Sequence, residues 1–212
     1  MTIPGTVSLA PVGLGFDTDT VVTAEVARQM ASLGYRFCMR YLSLGEESSG
    51  DLTVDEAQGI LAAGLALGLV QHATTSSLNA SLGQENGANA AKNASGLGIP
   101  SGVTVWCDLE SVHSSSSADT IAYVNAWASQ VDSGGYEPGL YVGPDTGLNS
   151  TQLYESLSVA HYWKSGSEVP WVETRGFQMI QGLHNENLPI SVDPDIACYD
   201  NMRDRFNLLM PQ

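Results

Sequence analysis

The chain is poor in positive charge: of 212 residues only 8 are lysine or arginine against 23 aspartate or glutamate, a formal net charge of −15. A surface of that sign repels polyanions, so nucleic acid is not an expected partner. It also offers no steering towards an anionic polymer, which bears on encounter rate rather than on chemistry. Cysteine is scarce and odd in number. Cys38, Cys107 and Cys198 each lie in an apolar, strand-like run, which suits free buried thiols better than a disulfide or a metal site. No apolar run approaches the length of a membrane span, and residues 1–14 have neither the basic start nor the apolar core of a standard export signal. No GxGxxG or phosphate-binding loop follows the first strand. The serine run at 114–117 lacks a GxSxG turn and reads as a loop, and no glycine-turned calcium loop is present. No cofactor and no metal are therefore expected.

What is present is a rhythm. Short apolar runs lead into polar loops, then into alanine-rich amphipathic stretches closed by glycine, as in successive βα units. Strands are predicted at 15–19, 35–41, 69–73, 103–110, 139–142, 159–163, 176–180 and 190–196. Helices are predicted over 23–33, from Thr53 (where Thr53 and Glu56 have capping-box spacing), and over 85–97, 118–131, 151–157 and 200–209. Eight strands alternating with helices in this length predict one α/β domain over residues 1–212. Its expected form is a (β/α)8-type TIM barrel, irregular in its last units, with residues 1–14 as an extension; an open doubly wound sheet is the alternative.

Three acidic pairs share one spacing: Asp17 and Asp19, Asp108 and Glu110, Asp193 and Asp195. Residues two apart on a strand point to the same face, and each pair sits at or just past the end of a predicted strand, where a barrel gathers its active site. Along the fourth strand, Trp106, Asp108 and Glu110 should point inward while Cys107 and Leu109 face the helices. Crowded carboxyls cannot all ionise freely, so one should stay protonated beside an ionised partner, the division of labour that glycoside hydrolysis requires. The simpler readings are a helix cap for Asp19 and a turn for Asp193-Pro194-Asp195. His72, Tyr141, His161 and Trp163 lie near strand ends, where they would stack on or hydrogen-bond a sugar or else belong to core and rim. Arg40 would pair with Asp17 inside the mouth or stand as a surface arginine.

Gly15-Phe16-Asp17, Trp106-Cys107-Asp108-Leu109-Glu110, Phe177-Gln178 and Asp193-Pro194-Asp195 together resemble the glycoside-hydrolase-like domains related to family 25 lysozymes. The likeness runs from about Gly15 to Phe206. It implies Glu110 as general acid, Asp108 as its partner carboxylate, and Asp17 with Asp193 or Asp195 as further acids of the mouth, with Gln178 among the substrate-binding positions. It also implies action on the β-1,4 bond of peptidoglycan, outside the cytoplasm. The sequence departs from the lysozymes at Val70-Gln71-His72-Ala73 and at His161-Tyr162-Trp163. Two other classes stay open: a catalytically silent carbohydrate-binding barrel, and a metal-dependent hydrolase. A monomer is expected, with a glycan as partner and an inhibitor protein as a further one if the chain is a delivered toxin.

Overall fold

The computed structural model describes residues 3–46, 48–73, 77–112 and 116–212. The first elements are β1 (Thr6–Leu9), β2 (Gly13–Thr18), α1 (Ala24–Ser32), β3 (Phe37–Tyr41), α2 (Val54–Ala62), β4 (Ala66–His72) and α3 (Ala80–Gly96). They are followed by β5 (Thr104–Leu109), α4 (Ser117–Ser133), β6 (Glu137–Val142), α5 (Ser150–Glu155), β7 (His161–Lys164), β8 (Met179–Gln181), β9 (Asp193–Ala197) and β10 (Asn207–Met210). Each helix begins at a polar cap. Thr23, Thr53, Asn79, Ser116 and Asn149 each accept the amide proton three residues on, which satisfies a donor that the first turn leaves free. The expected serine loop is described only in part: Ser116 is the cap of α4, and Ser114 and Ser115 lie outside the described residues.

Strands β2 to β9 pair in sequence, and β9 returns to β2, closing an eight-stranded barrel. The predicted barrel is present, but regular eightfold alternation is not. A helix follows each of β2 to β6, and among the described residues none follows β7, β8 or β9. Strand β9 also runs antiparallel to both neighbours. Where no helix covers the wall, Ile180 and Ile196 are exposed on the outside of β8 and β9.

Period-two alternation sorts the side chains. Phe37, Met39, Val70, Trp106, Trp163 and Met179 fill the interior, while Cys38, Leu67, Leu69, Val105, Cys107 and Leu109 pack in the layer beneath the helices. The inward Trp106 and outward Cys107 follow the sequence expectation. All three cysteines are free, Cys38 and Cys107 buried and Cys198 half-buried.

The closing helix expected over 200–209 does not form. Arg203 takes a left-handed φ of 62°, and the chain then enters β10, antiparallel to β1 and bridged from Leu209 to Leu67 of β4. Alternation decides this too: Phe206 and Leu208 point into the barrel, the Phe206 ring 5.1 Å from Trp106 and 6.4 Å from Phe37, and plug its lower end. No described helix is long and apolar enough to cross a membrane.

Candidate active site

The mouth of the barrel is formed by the ends of the parallel strands and, because β9 runs the other way, by the beginning of β9. Asp193 is therefore the first residue of its strand, in register with Asp17 near the end of β2. The expectation that Asp193 and Asp195 end their strand is corrected, and the reversed direction still brings them to the mouth.

Asp195 is fully buried one pleat below the rim. Its Oδ1 accepts the indole proton of Trp163 at 2.9 Å, while an ionised Oδ2 would be left without a partner. Asp17 is buried beside it and accepts from Gln181 Nε2 at 2.8 Å. The Gln181 amide is fixed in that orientation by Tyr141 Oη and the Gly166 amide, both donating to its Oε1, at 3.0 and 3.1 Å. Burial pushes the Asp17 carboxyl up to about 7 and Asp195 well above the ordinary carboxylate range; the Asp193 charge raises Asp17 further and the Asp17 charge raises Asp195, while hydrogen bonds from Gln181 and Asp195 pull Asp17 back. A proton kept on Asp195 and donated to Asp17 supplies the missing partner.

The second group is built on β4 and β5. Asp108 Oδ2 lies 2.7 Å from His72 Nδ1, and the imidazole stacks on Tyr41 at 4.3 Å between ring centres. That hydrogen bond is the main reason the His72 pKa is raised. Glu110, the residue after β5, is half-exposed. Burial raises its carboxyl, the Asp108 charge raises it further, and the His72 charge opposes both. Gly143 makes the space, since a Cβ there would stand 2.3 Å from the Glu110 Cβ. The arrangement sets two carboxyls side by side, Glu110 with a raised pKa and Asp108 oriented by a histidine.

A cleft of about 200 Å³ opens at the mouth, lined by Asp17, Asp19, Tyr41, His72, His184 and Asp193 among others. Asp19 is exposed on its rim and caps no helix; Thr23 does that. Asp193 is held by His184, Nδ1 to Oδ1 at 2.7 Å. Among the described residues, no group of three or more histidine, cysteine or acidic side chains is arranged to hold a metal.

Four expected substrate contacts lie elsewhere. Arg40 does not pair with Asp17: it alternates outward with Cys38 and is fully buried, bonded to Glu56 at 2.6 Å and to the Thr18 and Gly50 carbonyls. His161 stands at the start of β7, the lower end of the barrel, facing Glu137 at 3.3 Å. Gln178 precedes β8 at that same end and bonds to the Tyr162 amide and Asp200. Trp163 is buried with its nitrogen committed to Asp195, so it props an acid and has no face free for a sugar. Tyr141 is at the mouth, but its hydroxyl is turned to Gln181. The residues missed from sequence are Gln181, Tyr41, His184 and Ser191. Gln181 and Tyr41 were visible as inward positions at strand ends, whereas the other two depend on the fold of the β8–β9 segment.

Fold and site together define a glycoside-hydrolase-like barrel. The family model described as the Rv2525c-like, glycoside hydrolase-like domain matches residues 28–196, and the chain belongs to that family. Solved structures agree. A crystal structure of an uncharacterized protein from B. stearothermophilus is 25% identical with a TM-score of 0.69, covering 87% of this chain and 95% of that one. The bacterial lysozyme from Streptomyces coelicolor is 14% identical with a TM-score of 0.63, over 92% and 95%. A glycosyl hydrolase 25 of Streptococcus pneumoniae, titled a virulence factor participating in host cell invasion, is 11% identical with a TM-score of 0.58, over 87% and 86%. These likenesses bear on the fold. No curated protein matches the chain.

Proposed function

We propose that the protein is a glycoside hydrolase that cuts the β-1,4 glycan backbone of peptidoglycan, acting at the cell wall outside the cytoplasm. The observation that carries the reading is Glu110, a half-exposed carboxyl with a raised pKa, set beside Asp108 at the mouth of the barrel. In this reading the glycan lies along the cleft and Glu110 gives its proton to the glycosidic oxygen, which leaves as a free hydroxyl. Asp108, oriented by His72, and Asp17, oriented by Gln181, face the sugar that gains positive charge. Water then completes the new reducing end and restores the proton. Asp195 acts through Asp17, and Asp193 is engaged with His184.

The test is incubation of the protein, and of Glu110→Gln beside it, with purified peptidoglycan. Released muropeptides with new reducing ends are expected from the wild type, and at least about a hundredfold fewer from the variant. Equal release by both would remove Glu110 from the acid's role. Binding to the glycan without release would sink the hydrolase reading in favour of a binding barrel. Loss of activity on adding a chelator would point to the metal-dependent class.

A further inference from the structure

The segment that joins β8 to β9 carries an arrangement that the acid cluster does not use. Ser191 Oγ lies 2.8 Å from His184 Nε2, and His184 Nδ1 lies 2.7 Å from Asp193 Oδ1. With the proton on Nδ1, Asp193 accepts it, and the lone pair on Nε2 faces the serine hydroxyl. Each nitrogen then has one role, the order of functions found in serine hydrolases, which are recognised by geometry and not by sequence position. The segment is tied down by structure. Asn185 and Val192 bridge with backbone bonds of 2.9 and 3.3 Å, and the Ser191 carbonyl accepts from Thr18 Oγ1 at 2.9 Å. His184 and Ser191 both line the cleft and are both exposed.

We propose that Ser191, His184 and Asp193 form an acyl-ester hydrolase site, whose substrate class is a neutral O-acyl ester such as an acylated sugar hydroxyl. Neutrality follows from the surroundings, since Asp17, Asp19 and Asp193 line the same cleft and repel an anionic ester. Ser191 Oγ bonds to the ester carbonyl carbon while its proton passes to His184 Nε2. The bond from that carbon to the alcohol oxygen then breaks, and the alcohol leaves with the His184 proton. Water, giving a proton to His184, attacks the acyl-serine, and release of the carboxylic acid returns that proton to Ser191. No oxidant, metal or cofactor enters the balance. The step needs neither Glu110 nor a glycan, so it stands or falls apart from the glycosidase reading.

The test uses two small probes: p-nitrophenyl acetate for turnover and an alkyl fluorophosphonate for covalent labelling, mapped by mass spectrometry. Because Ser191 is exposed, solvent would meet its oxyanion; labelling reports the activated hydroxyl directly and is read beside turnover. The expected result is one label on Ser191 of the wild type and none on Ser191→Ala or His184→Gln. Ester turnover should fall about a hundredfold in both variants, while Ser133→Ala, far along α4, keeps the wild-type rate. Ser191→Ala removes only an exposed hydroxyl, and an unchanged circular dichroism spectrum will show that its fold is intact. Absence of label on the folded wild type, label at another residue, or a Ser191→Ala variant as fast as the wild type would each overturn the proposal.

Discussion

At Asp195 burial is complete, and one carboxyl oxygen has a partner only while a proton is present. The folded Asp17–Asp195 pair therefore binds a proton that the unfolded chain, whose carboxyls titrate near pH 4, has released by neutral pH. Where the folded state holds more protons, stability falls as pH rises, and here it falls from about pH 4 up through the raised value of about 7 at Asp17. Melting temperature should thus climb on going from pH 8 to pH 5. Asp195→Asn, which keeps the shape and donates to Asp17 at every pH, should flatten that climb and be roughly 1–3 kcal/mol more stable at pH 8. His72 acts on the other group. Its charge lowers the Glu110 pKa, so His72→Gln should move the alkaline fall of the proposed glycan-cleaving activity to higher pH, read from a pH–rate profile. At this scale the sequence was legible where two-residue alternation applied, as in the inward Trp106, Asp108 and Glu110. The same rule also holds the answer for Arg40: Phe37, Met39 and Tyr41 share its strand and point inward, so Arg40 must face outward to Glu56. Trp163 needed more, because the partner of its indole nitrogen, Asp195, lies 32 residues further along the chain.

Helices α3 and α4 touch along glycines. A Cβ on Gly83 would stand 2.2 Å from the Tyr123 carbonyl oxygen, a backbone atom that cannot swing aside. Gly83→Val should force the helices apart and cost roughly 1–3 kcal/mol, seen as a lower denaturation midpoint. Elements with their own start signals were readable. Thr53 caps α2 as its spacing predicted, although Glu56 turns its carboxylate to the Val22 amide and to Arg40 rather than back to the cap. Elements defined by distant partners were not. The run from Phe206 is too short for periodicity to separate strand from helix, and its partner β1 lies at the other end of the chain. For β7, the strand starts two residues later than predicted, which makes His161 its first residue, at the lower end of the barrel, instead of a mid-strand position.

Across the whole molecule, Phe206 and Leu208 close the lower end of the barrel by packing, while the carboxyls with raised pKa, Asp17, Glu110 and Asp195, gather at the mouth. Phe206→Ala should cost about 3–5 kcal/mol in denaturant unfolding, while the proposed affinity for glycan, measured on the folded variant, stays unchanged. Three of the acidic residues, Asp17, Asp19 and Asp193, line the cleft at the mouth.

The seam between β2 and β9 joins residues nearly the full chain length apart, whereas β8 and β9 are near neighbours in sequence. Contacts of such separation carry the largest loop-closure cost and slow folding, so the seam is expected to zip late. Asp17 and Asp195 lie on either side of it. A partly assembled chain would hold two ordinary carboxylates, and the shared proton would arrive only when the ring is complete. Proton uptake during refolding near neutral pH, followed with an indicator dye, would then mark the moment at which the barrel shuts.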